Sequence, residues 1–557
     1  MEDRDNQLAQ AMDSIEKHDS DAEAYIACAG VLDRFRKLEE ALGVLRSAET
    51  RVLPSPALHA LHIDLLTKGN RTGEAIALAA EAAHLFPEHR LLFRLREAIT
   101  LPIFYDKQED VDYHRARYEA GLRSIDGEFS LDTSNARQQG LAAIRRHVNF
   151  YLGYQNRNDR ELQMIYGKLV HRVVSANYPE LMKPPPMPPL PTGSRLRIGY
   201  ASNYFHDHSV TKLFLGWLSG HDPARFAVFT YHVGKGDDPV VEQVQRASFR
   251  FRRLPKSVAE TAAAIRADKL HILVFLDIGM SPFMNLLATL GLAPIQCASW
   301  SHPVTSGLPT VRYFISADLM EPGNAQSHYS EDLIRLPGIG VCYSKPVIPE
   351  PLLRMTRRDF GLREDAIVYL SCQAIFKYLP EQDALFARIA RRVPNSQFVF
   401  LAMNEMVRKD FERRMARSFE AEGLHAEAHC LALLSVRHLD YLSLIRNSDI
   451  VLDTMGWSGG VTSFEVIACG LPIVTLPGNF MRGRHSSAIL TQIGVDETIA
   501  LDPADYVDIA VRLGLDRQWK QSILARMRRG RSQLYSDTRC IRALEDFYLC
   551  AVKEHPG

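Results

Sequence analysis

Residues 184–201 read PPPMPPLPTGSRLRIGYA, and the change of character inside that stretch divides the chain in two. Six prolines fall in the eight positions 184–191, a density that forbids a helix and favours a stiff extended segment. Directly after it, Arg197-Ile-Gly-Tyr-Ala201 has the apolar character of the first strand of a new domain.

Downstream of that boundary, strand-like runs at 197–201, 226–231, 271–277, 296–300 and 312–316 alternate with helical stretches. A second series follows at 367–370, 397–402, 449–453 and 472–476. Alternation at this spacing predicts parallel, doubly wound sheets. Two series joined by a weakly patterned connection near 343–357 predict two α/β lobes, 195–350 and 351–520. A terminal helix over about 520–553, within a last segment 521–557, is expected to cross back to the first lobe. Ligands of such sheets bind beyond the carboxyl ends of the strands, here in the cleft between lobes.

Upstream, residues 1–183 read as helix almost throughout, with 184–194 as a Pro-rich linker. A 34-residue period runs from Ala22 to about His89: Leu32 recurs as Leu66, Glu40-Ala41-Leu42 as Glu74-Ala75-Ile76, and Ala48 as Ala82. Small alanines at fixed places let antiparallel helices pack closely, and this resembles the tetratricopeptide repeat. Two copies fall short of a free-standing solenoid, so Arg90 to Pro179 is expected to cap them.

Lys and Arg number 66, as do Asp and Glu, so the formal charge is zero. That argues against a general nucleic-acid or membrane-surface binder. The longest apolar runs, such as Ile272 to Leu276, are strand-sized, and MEDRDNQ at the start carries no signal-peptide core. The eight cysteines form no Cys-x-x-Cys pair, which predicts reduced thiols in a cytoplasmic protein rather than disulfides or a zinc site.

The second lobe holds the stronger chemical signal. Strand 449–453 ends in Asp453 and leads into Thr454-Met-Gly-Trp-Ser-Gly-Gly-Val-Thr462, then a helix carrying Glu465. A strand, a glycine loop (Gly459, Gly460) and a helix N-terminus present unpaired N–H groups to an anion. Glu465 is expected on the first turn, within reach of a ribose diol. Arg482-Gly-Arg484-His485 follows the next strand, and Lys377, after strand 367–371, could reach a pyrophosphate as a point charge. In the first lobe, Phe205-His-Asp-His208 offers an imidazole to orient an acceptor or take its proton. Two histidines on alternating sides make a metal site there the weaker reading. His302 is a second candidate. Alone, each has a commonplace alternative: a solvated lysine, a turn glycine, a hydrogen-bonded loop histidine.

The ordered series Arg197-Ile-Gly-Tyr…His208, Ala293-Pro-Ile-Gln-Cys-Ala-Ser-Trp300, Thr305-Ser-Gly-Leu-Pro309, Tyr329-Ser-Glu-Asp-Leu333, Arg392-Val-Pro-Asn-Ser396 and Gly470-Leu-Pro-Ile-Val-Thr-Leu-Pro-Gly478 resembles the protein O-GlcNAc transferases, including the SPINDLY-like bacterial members. The resemblance implies a GT-B fold, two Rossmann-like lobes around a nucleotide-sugar cleft. It also implies metal-independent, inverting transfer from a UDP-sugar, most often UDP-GlcNAc, to Ser or Thr of a protein. A sister branch that glucosylates Asn is similar as well, and a repeat-based adaptor with a degenerate GT-B module is the alternative from another class.

Carried over by position, His208 matches the family's active-site histidine and Lys377 the lysine on the UDP pyrophosphate. Glu465 falls on the family's ribose aspartate, Gly460, Val461 and Thr462 on its His-Thr-Thr phosphate loop, and Arg484 on a loop arginine. Ala374 stands where a family glutamine contacts the diphosphate, with Gln373 adjacent, and Arg266 where a family histidine lies near the sugar. His302 and Thr305 fall on the acceptor and sugar side, His302-Pro303 resembling the Asn-modifying branch. No cofactor or metal is implied, acceptor proteins are expected along the helical repeats, and the oligomeric state stays open.

Overall fold

The computed structural model describes residues 2–17, 19–234, 236–349 and 355–555. The expected lobe boundary at 350/351 lies outside the described residues.

The 34-residue period appears as two helix pairs, Ala22–Arg34 with Leu38–Glu49 and Pro56–Lys68 with Thr72–Leu85. Repeat-related Ala41, Ala48, Ala75 and Ala82 are fully buried, so a larger side chain at any of them would force the helices apart. Arg36 and Asn70, one period apart, both hold a left-handed φ of 61°, closing the same turn twice. Helices Arg90–Ile99, Gln108–Glu128, Ser134–Ile144 and Arg160–Asn177 continue the region.

The first sheet contains β1 (Leu196–Ser202), β2 (Phe226–His232), β3 (Arg250–Arg253), β4 (Ile272–Phe275), β5 (Ile295–Ser299), β6 (Tyr313–Ala317) and β7 (Asp332–Leu336). The second contains β8 (Ile367–Ala374), β9 (Ser396–Ala402), β10 (Cys430–Leu434), β11 (Ile450–Leu452) and β12 (Ile473–Val474). Their orders are β3-β2-β1-β4-β5-β6-β7 and β10-β9-β8-β11-β12, every named pairing parallel. In each, the order reverses between the first strand and the fourth, β1/β4 and β8/β11, and there the crossovers leave a crevice. Strands β3, β7 and β10 were not expected from the sequence. All three are sheet edges, half-exposed along their length, and so lack the continuous apolar run of a strand covered on both faces.

The expected single helix over 520–553 is instead two, Arg517–Gly530 and Arg539–Glu554. Gly530 packs its Cα against the backbone of Ile493, and Ser536 turns the chain at a φ of 58°. The second helix lies on the first lobe, where the Tyr548 and Tyr200 hydroxyls meet at 3.1 Å and Glu545 accepts from the Asp222 N–H at 2.7 Å.

The helical region is fastened to both lobes. Arg266, expected near the sugar by position, donates instead to the carbonyls of Lys183 and Gly291 at 2.7 Å and Leu181 at 2.9 Å, clamping the linker to the first lobe. From the second lobe, buried Arg482 reaches Asp159 at 3.1 Å, and Arg115 holds the same carboxylate at 2.8 Å. No helix among the described residues is long and apolar enough to cross a membrane.

Candidate active site

The two switch points face one cleft of about 200 Å³, lined by Ser209, Trp300 and Ser301 of the first lobe and by Gln373, Lys377, Trp457, Gly460, Val461, Thr462 and His485 of the second. On the second-lobe side its polar groups are wired in series. Lys377 Nζ donates to Gln373 Oε1 at 2.7 Å, and Gln373 Nε2 donates to Thr462 Oγ1 at 2.8 Å. The glutamine thereby consumes acceptors and leaves donors: the other Lys377 N–H bonds and the Thr462 hydroxyl proton remain available. The N–H groups of Gly460, Val461 and Thr462, at the head of helix Val461–Cys469, have no acceptor among the described residues. Burial pushes the Lys377 ammonium down to about 8, against the pull of Asp453. A buried cation beside free donors and a helix N-terminus is a site short of an anion.

Asp453 shapes this loop. Its carboxylate accepts from Ser458 Oγ at 2.6 Å, the Gly459 N–H at 2.8 Å and Thr475 Oγ1 at 2.8 Å. Gly459, expected among the donor-binding groups, therefore spends its N–H on Asp453 and does not face the cleft. Glu465 lies on the second turn, not the first, because the helix begins at Val461. It is 4% exposed, and its Oε1 is 2.7 Å from Nε2 of His438. Arg484 also departs from expectation: its Nη1 donates to the Gly478 carbonyl at 3.0 Å, bracing the turn rather than lining the cleft.

In the first lobe, His208 precedes helix Ser209–Gly220 and caps it, Nδ1 accepting from the Val210 N–H at 3.2 Å. Its ring stacks on Tyr204 with centroids 4.2 Å apart. Burial, then the neighbouring His206 and Lys212, lower its pKa to about 4. The imidazole is thus neutral near pH 7, with its lone pair on the capping nitrogen and its proton on Nε2. The His206 and His208 rings lie 5.7 Å apart rather than on opposite sides, since residues 203–208 are not strand. No group of three metal-ligating side chains occurs among the described residues.

His302 is buried between domains, stacked on Phe150 at 5.1 Å with Nε2 donating to the Phe150 carbonyl at 3.2 Å. Thr305 is also buried, donating to Glu331 Oε2 at 2.5 Å beside Ser330. Neither lines the cleft; both support the loop that follows Trp300.

Two contributions escaped sequence reasoning, and a third was read only as part of a basic stretch. Trp457, inside the glycine loop, lines the cleft, with Lys377 Nζ 5.8 Å from its ring centroid. Phe150, Tyr151 and Tyr154 of the helical region pack against Trp457 and Phe376, so that region backs the cleft wall from behind. The signal was available in the aromatic run Phe150-Tyr-Leu-Gly-Tyr154, out of keeping with a plain helical cap. His485, which closes the basic stretch after Pro477-Gly478, also lines the cleft.

Comparison with known proteins fits this arrangement. The model of "Glycosyl transferase family 41" matches residues 179–340 and 342–543, more than half of the chain. Among curated relatives, "Probable UDP-N-acetylglucosamine--peptide N-acetylglucosaminyltransferase SPINDLY" of Arabidopsis thaliana is 28% identical over 340 residues, 58% of this chain and 35% of that protein. Its namesake in Oryza sativa subsp. japonica is 28% identical over 404 residues, 70% of this chain and 41% of the relative. The chain therefore spans only about a third to two fifths of the length of these relatives. A solved mutant O-GlcNAc transferase of Thermobaculum terrenum superposes with a TM-score of 0.68 at 21% identity, covering 99% of this chain and 98% of that one. Helical repeats, two parallel sheets facing one anion-seeking cleft, and a family match across both lobes lead to one conclusion: the chain belongs to glycosyl transferase family 41.

Proposed function

We propose that the protein transfers GlcNAc from UDP-GlcNAc to Ser or Thr hydroxyls of protein substrates, with inversion and without a metal. The observation that carries this reading is the Lys377–Gln373–Thr462 chain at the head of helix Val461–Cys469, which leaves the remaining Lys377 N–H bonds and the Thr462 hydroxyl proton as donors beside the free N–H groups of the loop. A departing nucleoside diphosphate is what such a wall stabilises. Losing one preorganised donor of this kind costs about 3 kcal/mol of barrier, on the order of a hundredfold in rate. The names borne by the relatives support GlcNAc over glucose, and a peptide as acceptor.

His208, neutral and with its proton on Nε2, acts in this reading as a donor that orients the acceptor oxygen. The acceptor's proton then passes to water or to a phosphate oxygen of the departing UDP. Glu465 takes the ribose diol. Acceptor proteins approach along the helical repeats, supported by a cavity of about 360 Å³ that Asp64, Lys68, Arg96 and Tyr151 share with Pro282 of the first lobe and Met403 of the second. Eight free cysteines favour a reducing, cytoplasmic setting.

The test is a thermal-shift and product-release panel with UDP, UDP-GlcNAc, UDP-glucose, UDP-galactose and a GDP-sugar, with and without EDTA. A ligand at ~100 times its Kd adds ~2.7 kcal/mol of stability. Stabilisation by UDP and UDP-GlcNAc that survives EDTA, with GlcNAc appearing on protein, is the expected result. Silence toward every UDP compound would sink the proposal.

A further inference from the structure

His485 opens helix His485–Gln492 and is 4% exposed, yet neither of its ring nitrogens makes a hydrogen bond of good geometry, and only the Ser458 backbone interacts with the ring at longer reach. Buried imidazoles are ordinarily paired on both nitrogens, and an unpaired one is a cost that a ligand can relieve. The ring lines the cleft together with Gln373, Lys377, Gly460 and Thr462. Its Nδ1 lies 3.8 Å from where a Cβ on Gly460 would sit, so the bare glycine leaves the imidazole facing the loop's free N–H groups. Beside it, at 5.3 Å between ring centroids, is Trp300, another residue of the same cleft, whose buried indole N–H has no acceptor either.

Burial and the Lys377 charge hold the His485 ring neutral, its pKa lowered to about 3. A neutral imidazole has one N–H to give. Two such N–H donors from opposite lobes therefore belong to residues that line the same cleft as Lys377, Thr462 and the helix head. We propose that His485 is a diphosphate-binding residue, its ring N–H donating to a phosphate oxygen of the bound nucleotide beside Gly460. This rests on the UDP-sugar reading above. It makes helix His485–Gln492 a second source of phosphate contacts, complementing a loop whose residues 459 and 460 carry no side chain.

The test compares UDP with uridine on the full chain, by calorimetry for UDP and by displacement for uridine, in the unaltered protein, His485→Ala and His485→Asn. If His485 holds the diphosphate, His485→Ala weakens UDP by about tenfold and leaves uridine unchanged. His485→Asn, whose amide keeps a donor in the same place, stays within about threefold of the unaltered protein. Melting temperatures of both variants show that they fold. Equal weakening of UDP and uridine would make the residue a packing element or a base contact, and an unmoved UDP-to-uridine ratio would remove it from the phosphate site. Either overturns the inference while leaving the donor reading intact. Failure of the unaltered protein to bind UDP would overturn the donor reading itself.

Discussion

The ring of Tyr154, from the helical region, lies 4.0 Å centroid to centroid from the ring of Trp457, in the loop that heads the donor wall of the cleft. Tyr154 is 7% exposed and also meets Phe376 at 4.8 Å, one residue before Lys377. The helices and the α/β lobes thus share one aromatic cluster. Deleting residues 1–183 is expected to uncover that cluster, strand Arg482 without Asp159, and abolish transfer even to a short peptide that needs no repeat surface. Tyr154→Ala should cost about 3 kcal/mol in urea unfolding, and Asp159→Ala about 3–5 kcal/mol, because it leaves a buried guanidinium short of a partner. A truncated protein that modified short peptides at full rate would refute this structural dependence.

Lys377 combines a short bond to Gln373 with a pKa lowered to about 8 by burial. Lys377→Ala is expected to cut kcat by a hundredfold or more. It should leave the melting temperature unchanged or raised, since it removes a charge that burial disfavours. The pH dependence has a definite sign. A depressed ammonium pKa means the empty cleft loses its charge as pH rises through about 8, while a bound diphosphate holds the proton on. UDP affinity should be flat from pH 6 to 7.5 and fall above pH 8, toward tenfold per unit, with a proton taken up on binding. Calorimetry in two buffers of different ionisation enthalpy reads that uptake directly, and EDTA should alter none of it.

The two-lobe α/β architecture was legible in the sequence because nine of its strands are almost wholly buried along their length and read as mainly apolar runs. Strands β3, β7 and β10 were not, being edges whose alternate residues meet solvent. Of the site, Lys377 and Thr462 were legible because one follows a strand and the other heads a helix, whereas Gln373, inside β8, was pointed to only by the family resemblance. Gly459, Glu465, Arg484, His302 and Thr305 were read as cleft groups, yet each is turned toward a protein partner: Asp453, His438, Gly478, Phe150 and Glu331. Those partners lie from 6 to 152 residues away in sequence. The pattern shows which residue types stand near a site but not which way a buried side chain settles its hydrogen bonds.

His208 illustrates how one hydrogen bond selects a chemical role. Its Nδ1 is occupied by the Val210 N–H, and its pKa is lowered to about 4 by burial. A general base with an ordinary imidazole pKa would give kcat/KM an acid limb near pH 6.5. The expected profile is flat from pH 5 to 7.5, with any limb from this residue near pH 4. His208→Ala should lower kcat and cost about 1 kcal/mol through the lost helix cap. His208→Asn, able to cap and to donate, should recover the stability and part of the rate. An acid limb at pH 6 to 7 that vanishes in His208→Ala would return the residue to the role of base.

Glu465 is buried on the second turn of helix Val461–Cys469 with one oxygen 2.7 Å from His438. His438 is half-exposed, so the pair closes one edge of the region behind the phosphate loop. A hydrogen bond from a sugar hydroxyl to an ionised carboxylate contributes about 1.5–3 kcal/mol, so a ribose 2′-hydroxyl held by Glu465 would make UDP bind at least about tenfold tighter than 2′-deoxy-UDP. Glu465→Gln should narrow that preference by weakening UDP while leaving the deoxy nucleotide unchanged. His438→Ala should have a smaller effect of the same kind, by freeing the carboxylate to rotate. Both nucleotides weakening equally in Glu465→Gln would mean that the carboxylate serves the helix and His438 alone, with the ribose held elsewhere.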